Sequence, residues 1–170
     1  MAAANSHPYL RPWLDNRQLE HMALDIARVR DRLAAARQHY QWAVSVRALL
    51  PDEHALHLEK AYDSIRAAAG GLVRAHSVRG RGSGKSHEVA LDVAVACLRA
   101  RRPDAGAMLA PLATSIRVRR NRIQYESVEI VTREDCEKLF AVLSPVLEAI
   151  EGIAYELIGL PPPGGWQQAT

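Results

Sequence analysis

Between Arg117 and Glu126 the chain reads R-V-R-R-N-R-I-Q-Y-E, which places four arginines, an asparagine and a tyrosine within ten residues. Like charges one helical turn apart repel, so this run calls either for open solvent or for a polyanion beside it. A guanidinium offers a planar fork suited to phosphate oxygens. On a helix, Arg117, Asn121 and Tyr125 recur every four residues and share one stripe. Arg120 lies five residues before Tyr125, about 140° around the axis of an ideal helix. Asn121 can hold a phosphate oxygen or orient its neighbours, and the Tyr125 hydroxyl can donate a hydrogen bond.

A second basic segment is S-V-R-G-R-G-S-G-K-S at 77–86. Its glycines and serines read as a loop, with Arg79, Arg81 and Lys85 free to meet phosphates. The Gly84-Lys85-Ser86 triplet does not make a phosphate-binding loop. That motif needs a glycine where Arg79 stands, and a strand before it where the periodicity predicts a helix. His87, at the mouth of this loop, is the histidine best placed to assist chemistry there. His54 and His57 are three apart, but no acidic or cysteine partner stands near them at ligand spacing. His21, His39 and His76 have no such pairing either, so neither a metal nor a cofactor is expected.

The elements that must position these residues are helices. Alanine and leucine are abundant, aromatics are only 5%, and 48% of the 170 residues are apolar, enough for one helical core. Residues 1–14 read as an irregular arm in which Pro8 and Pro12 break any helix, with Trp13 and Leu14 stapling it to the body. Asp15 and Gln18 have capping-box spacing ahead of a seam of Leu19, Met22, Ile26, Val29, Leu33, Ala36 and Tyr40. Pro51 and Asp52 separate this helix from a second, which carries Leu58, Tyr62, Ile65, Ala69 and Leu72, with Gly70 and Gly71 near its end allowing close approach of a neighbour. Ser86 caps a third, with Val89, Val93, Ala96 and Cys97 facing inward and Pro103 after it. Pro111 opens the fourth, which contains the arginine run. Thr132 and Asp135 cap the fifth, with Leu139, Leu143, Val146, Ile150, Ile153 and Leu157 on its inner face, Pro145 kinking it and Gly159 ending it. The longest candidate strand is Val128–Val131. Residues 161–170, P-P-P-G-G-W-Q-Q-A-T, read as a flexible tail. The expected architecture is all-α, a single bundle of about five helices spanning 15–160.

The net charge of +3 and pI near 9.1 are mildly basic, with the excess concentrated in 74–85 and 99–122. The two cysteines, Cys97 and Cys136, read as small buried hydrophobes. No stretch is long and apolar enough to span a membrane, no secretory signal is expected, and a reducing cytoplasm is the default compartment.

Three segments together resemble the HEPN superfamily (higher eukaryotes and prokaryotes nucleotide-binding domain). A-Y-D-S-I-R-A-A-A-G-G-L at 61–72 resembles its second helix, G-K-S-H-E-V-A-L at 84–91 the glycine-rich entry to its third, and R-R-N-R-I-Q-Y at 119–125 its arginine motif. The resemblance covers roughly residues 17–158. It implies a helical, commonly homodimeric protein that binds RNA or nucleotides, often a metal-independent endoribonuclease of a toxin–antitoxin or antiviral defence module. Two motifs would meet across a dimer cleft, with Arg120 on the scissile phosphate, Asn121 beside it, and Arg117, Arg119, Arg122, Lys85, His87, Arg79 and Arg81 along the nucleic acid. The family's motif histidine is replaced here by Tyr125. A phenol of ordinary pKa is only about one part in a thousand ionised at neutral pH, so as a base it starts roughly 4 kcal/mol behind a deprotonated group. The resemblance therefore also implies a non-catalytic alternative: a partner or substrate-binding subunit of a nucleotidyltransferase or other defence enzyme. A helical oligomerisation unit with a merely solvated basic helix is the plainest reading.

Overall fold

The computed structural model describes residues 7–82, 86–125 and 131–166, and the side chains of 86 and 116–125 fall outside that description. The architecture is all-α. Five long helices form the bundle: α2 (Ile26–Leu49), α3 (His54–Ala75), α4 (Ser86–Arg101), α5 (Pro103–Tyr125) and α6 (Arg133–Leu157). A short α1 (Arg11–Asp15) precedes them, and a two-stranded antiparallel ribbon joins β1 (Leu19–His21) to β2 (Val78–Gly80).

α3 is the axis of the bundle, packing on α2, α4 and α6. Its buried face is built from small residues, Ala61, Ala68, Ala69 and Gly71, around Ile65 and Leu72. Small side chains let neighbouring helices come close. A Cβ at Gly71 would lie 3.0 Å from Leu33 Cδ2 on α2. The seam of α2, Val29, Leu33, Ala36, Tyr40 and Ala43, closes on this face. From the other side α6 contributes Leu139, Leu143, Val146, Ile150 and Ile153, all buried. Thr132 and Asp135 cap it reciprocally: the Thr132 hydroxyl accepts from Asp135 N (3.2 Å) and the Asp135 carboxylate from Thr132 N (3.0 Å). Gly159, at φ 71°, then turns the chain out of the helix.

Several local expectations are corrected by long-range pairing. Asp15 ends α1 and does not cap a long helix; Asp25, accepting from Arg28 N at 3.0 Å, caps α2. Leu19 leaves the helical seam because residues 19–21 pair with 78–80, a partner some 59 positions away. The same pairing makes Val78–Gly80 a strand, so a strand and not a helix precedes the Gly84-Lys85-Ser86 triplet; Arg79 still occupies the required glycine position. Pro8 and Pro12 sit at the first turns of a 3-10 helix and of α1, where a missing N–H costs nothing, so they start these elements. Asp52 lies in the turn before α3, whose N-cap, Glu53, makes no side-chain bond. Pro103 opens α5 and Pro111 lies inside it. The α4–α5 corner is tight: a Cβ on Gly106 would stand 2.7 Å from the Arg99 backbone nitrogen, leaving room there for glycine alone. Of the candidate strand Val128–Val131, residues 128–130 lie outside the described residues.

The first and last described segments are both pinned to the bundle. Leu10 is buried, and Trp13 and Leu14 pack against the core as expected. Cys97 Sγ donates to the Tyr9 hydroxyl (3.5 Å), Tyr9 donates to His76 Nε2 (2.7 Å), and His76 Nδ1 donates to the Leu72 carbonyl (2.8 Å). Burial lifts both the Tyr9 phenol and the Cys97 thiol above their ordinary values, so this chain is neutral. At the other end the expected flexible tail folds back as far as Trp166. Its ring is buried edge-on to Tyr40, under the Arg37 guanidinium, and its Nε1 donates to Glu151 (3.1 Å).

Candidate polyanion-binding cleft

Arg66, Gly70 and Arg74 recur every four residues along one stripe of α3. Arg32 reaches the same place from α2, Arg79 from β2, and His87 from the first turn of α4. These side chains, with Val73, Gly80, Gly82 and Ala90, line a cleft of about 200 Å³. Gly70 leaves its floor open, with nothing within 4 Å of where its Cβ would be. The α3 positions come from helical periodicity. Arg79 and Gly80 come from the β-ribbon, Arg32 from α2, and His87 and Ala90 from α4.

Four guanidinium groups in one cleft repel one another unless something compensates them. Asp63 pairs with Arg66 at 3.0 Å. Glu20, across the ribbon, holds Arg79 at 2.6 Å and Arg81 at 3.1 Å, and hydrogen bonding from Arg79 keeps the Glu20 carboxyl below its ordinary value. Arg79 and Arg81 are thus ion-paired, which corrects the reading of them as free. Among the described residues, no ion pair reaches Arg32 or Arg74. The Arg74 guanidinium is pushed below the ordinary arginine value, first by burial and then by the cations Arg32 and Arg28, with Asp25 opposing and Arg79 adding to the effect. The cleft therefore carries uncompensated positive charge beside an open floor, a setting in which a phosphate would relieve the repulsion.

Of the residues singled out from sequence, the structure brings Arg79 and His87 into this cleft, with Arg81 bound to the same carboxylate as Arg79. His87 is exposed at its rim. Lys85 lies outside the described residues. The backbone of α5 is helical through Tyr125, so Arg117, Asn121 and Tyr125 fall on one face and Arg120 keeps its offset of about 140° from Tyr125. The side chains of Arg117, Arg119, Arg120, Asn121, Arg122 and Tyr125 are outside the description. Arg32, Arg66 and Arg74 were missed by sequence reasoning. Arg66 and Arg74 lie on α3 and Arg32 on α2, and only packing gathers them. The available signal was the four-residue spacing of Arg66 and Arg74 about a glycine.

A second cluster arises where none was expected. His54 and His57, on the first turn of α3, meet Cys136 on the first turn of α6, with candidate ligand atoms all within 4.8 Å of one another. The cysteine partner exists but lies 82 residues from His54 in sequence, beyond the reach of any spacing rule.

No helix among the described residues is long and apolar enough to cross a membrane. Compared with protein-family models, with curated proteins and with solved structures, the chain matches none.

Proposed function

We propose that this protein binds RNA, or another phosphate-rich chain, as a HEPN-like module, through the arginine cleft of α2, α3 and β2 together with the arginine run of α5. The observation that carries this reading is the uncompensated charge of Arg32 and Arg74. Folding has brought like charges together with no ion pair to either among the described residues, Asp25 only partly offsetting the repulsion at Arg74, an arrangement whose electrostatic cost falls when a phosphate enters. Cleavage would fall to Arg120 as phosphate ligand with Asn121 beside it, two copies of α5 forming one groove in a homodimer of a toxin or defence module. The test is single-stranded RNA binding followed by a cleavage assay without added metal, each repeated with Arg120→Ala. Binding in both proteins, with cleavage only in the parent, supports the nuclease reading. Absence of RNA binding in the parent contradicts the proposal as a whole.

Tyr125 favours a second reading, in which the module binds without cutting and serves a nucleotidyltransferase or other defence enzyme. A phenol in the histidine position can donate a hydrogen bond but is a poor base at neutral pH. RNA binding without cleavage, with a stoichiometric protein partner recovered on co-expression, supports this reading over the first.

A further inference from the structure

His54, His57 and Cys136 stand apart from the arginine cleft, at the junction of α3 and α6. Cys136 is buried at 2% exposure and His57 at 1%. The His57 Nε2 lies 2.7 Å from the Leu50 carbonyl. A carbonyl oxygen only accepts, so Nε2 carries a proton, and in the ligating form of the ring the lone pair is at Nδ1. A histidine whose far nitrogen donates to a backbone carbonyl is arranged as metal-ligating histidines are, with tautomer and ring plane fixed from behind. The His54 Nδ1 is buried and has no hydrogen-bond partner. A buried polar atom left unsatisfied is costly, and here it belongs to a group of three soft or borderline ligands. The Cys136 thiol donates to the His54 carbonyl at 3.2 Å, which ties the two first turns together. The positive end of the α6 dipole suits a thiolate at that position.

We propose that His54, His57 and Cys136 bind a zinc ion that clamps α3 to α6. Two imidazoles and one thiolate form a nitrogen–sulfur donor set that suits Zn²⁺ over the hard, oxygen-seeking cations. In a tetrahedral site with ordinary zinc bond lengths, neighbouring ligand atoms stand about 3.3–3.8 Å apart. The present spread of up to 4.8 Å closes to this by side-chain rotation of roughly an ångström. The fourth position faces a cavity of about 270 Å³ lined by Arg47, Asp52, Arg133 and Glu137. Glu137 is held by Arg133 at 2.8 Å, which leaves the Asp52 carboxylate or a water to complete the site. Binding deprotonates the Cys136 thiol, which releases one proton to solvent as the sulfur–metal bond forms.

The test uses Co²⁺ as a spectroscopic probe on the full chain, stripped with a chelator. Expected are one equivalent bound, intense visible ligand-field absorption typical of four-coordinate cobalt, a thiolate-to-cobalt charge-transfer band, and displacement of both by Zn²⁺. Cys136→Ser should abolish the charge-transfer band, and His54→Ala or His57→Ala should weaken Co²⁺ binding more than about 100-fold, beyond the effect usual for outer partners of a ligand. Cys97→Ala should leave the spectrum unchanged. A parent protein with no charge-transfer band overturns the proposal, as does a band that survives Cys136→Ser or disappears with Cys97→Ala. Should Cys136→Ser not fold, the parent decides the matter: a Zn²⁺-dependent rise in melting temperature that His54→Ala removes supports the site, and no rise contradicts it. None of these readouts depends on RNA.

Discussion

Arg37 and Arg32 stand five positions apart on α2 and meet opposite surroundings. Arg37 lies against the buried carboxylate of Glu151, its Nε 2.7 Å from Oε1, and donates to the Gly164 carbonyl at 2.6 Å. Its guanidinium lies 4.8 Å from the centre of the Trp166 ring. Hydrogen bonding to Glu151 raises it above the ordinary arginine value even against burial. Arg32 lines a cleft in which Arg74 is pushed the opposite way, first by burial and then by Arg32 itself and Arg28. The same side chain is a structural clamp where its charge is matched, and a cleft-lining cation where it is not. Thus Arg37 should matter to stability and Arg32 to binding.

The largest effect that can break this contrast is on the clamp. Arg37→Ala strands Glu151, which is 2% exposed, as a buried, unpaired charge. A loss of about 3–5 kcal/mol in chemical denaturation is expected, with RNA affinity unchanged under conditions where the variant remains folded. Equal loss of affinity and stability would erase the distinction.

Next in size is a pH effect in the region that pins the N-terminal arm. Burial lowers His76 from 6.5 to about 4, helped by the positive charge of His7 and Arg101 and opposed by the Leu72 carbonyl. Above pH 6.5 both folded and unfolded chains hold this ring neutral, and its contribution is fully present. As pH falls from about 6.5 to about 4 the unfolded chain takes up a proton that the folded chain does not, so stability drops by on the order of 3 kcal/mol. His76→Gln should flatten that slope in denaturation midpoints measured across the window. RNA binding by the folded protein, measured in a His87→Gln background so that no histidine lines the cleft, should not follow the same curve.

How much of this could be read from the chain depended on distance along it. The capping pair Thr132 and Asp135 is three residues apart and was legible, as were most of the inner faces of α3 and α6 and that of α2 from Val29 to Tyr40, because helical periodicity is local; Ile26, read into the same seam, is 40% exposed. What was not legible is made by residues far apart. Leu19 pairs with Gly80, Cys136 meets His54, and Trp166 reaches Glu151 and Tyr40. The tail illustrates the physics: its Pro-Pro-Pro-Gly-Gly composition favours disorder, yet a single tryptophan finds a hydrogen-bond acceptor, an aromatic edge and a cation together. The arginine run of α5 dominated the sequence because its charges are contiguous, whereas Arg32, Arg66 and Arg74 become a cluster only after folding.

Smaller effects sharpen the contrast inside the cleft. Arg79 is already paired with Glu20, so Arg79→Ala should weaken RNA binding less than Arg74→Ala does in fluorescence titrations. Glu20→Gln, by releasing Arg79 and Arg81, should tighten binding a few-fold. A Glu20→Gln variant that binds more weakly than the parent would mean that the ribbon only holds shape and offers no charge to the ligand.

The most direct test of the central claim is the salt dependence of single-stranded RNA binding by the parent and by Arg32→Ala/Arg74→Ala, measured side by side with both proteins shown to be folded. The unmatched arginines predict a steep fall of affinity with salt in the parent, and a slope shallower by about 1.4 in the double variant, roughly 0.7 for each lost phosphate contact. Equal slopes in the two proteins, or a parent with no measurable affinity at low salt, would contradict it.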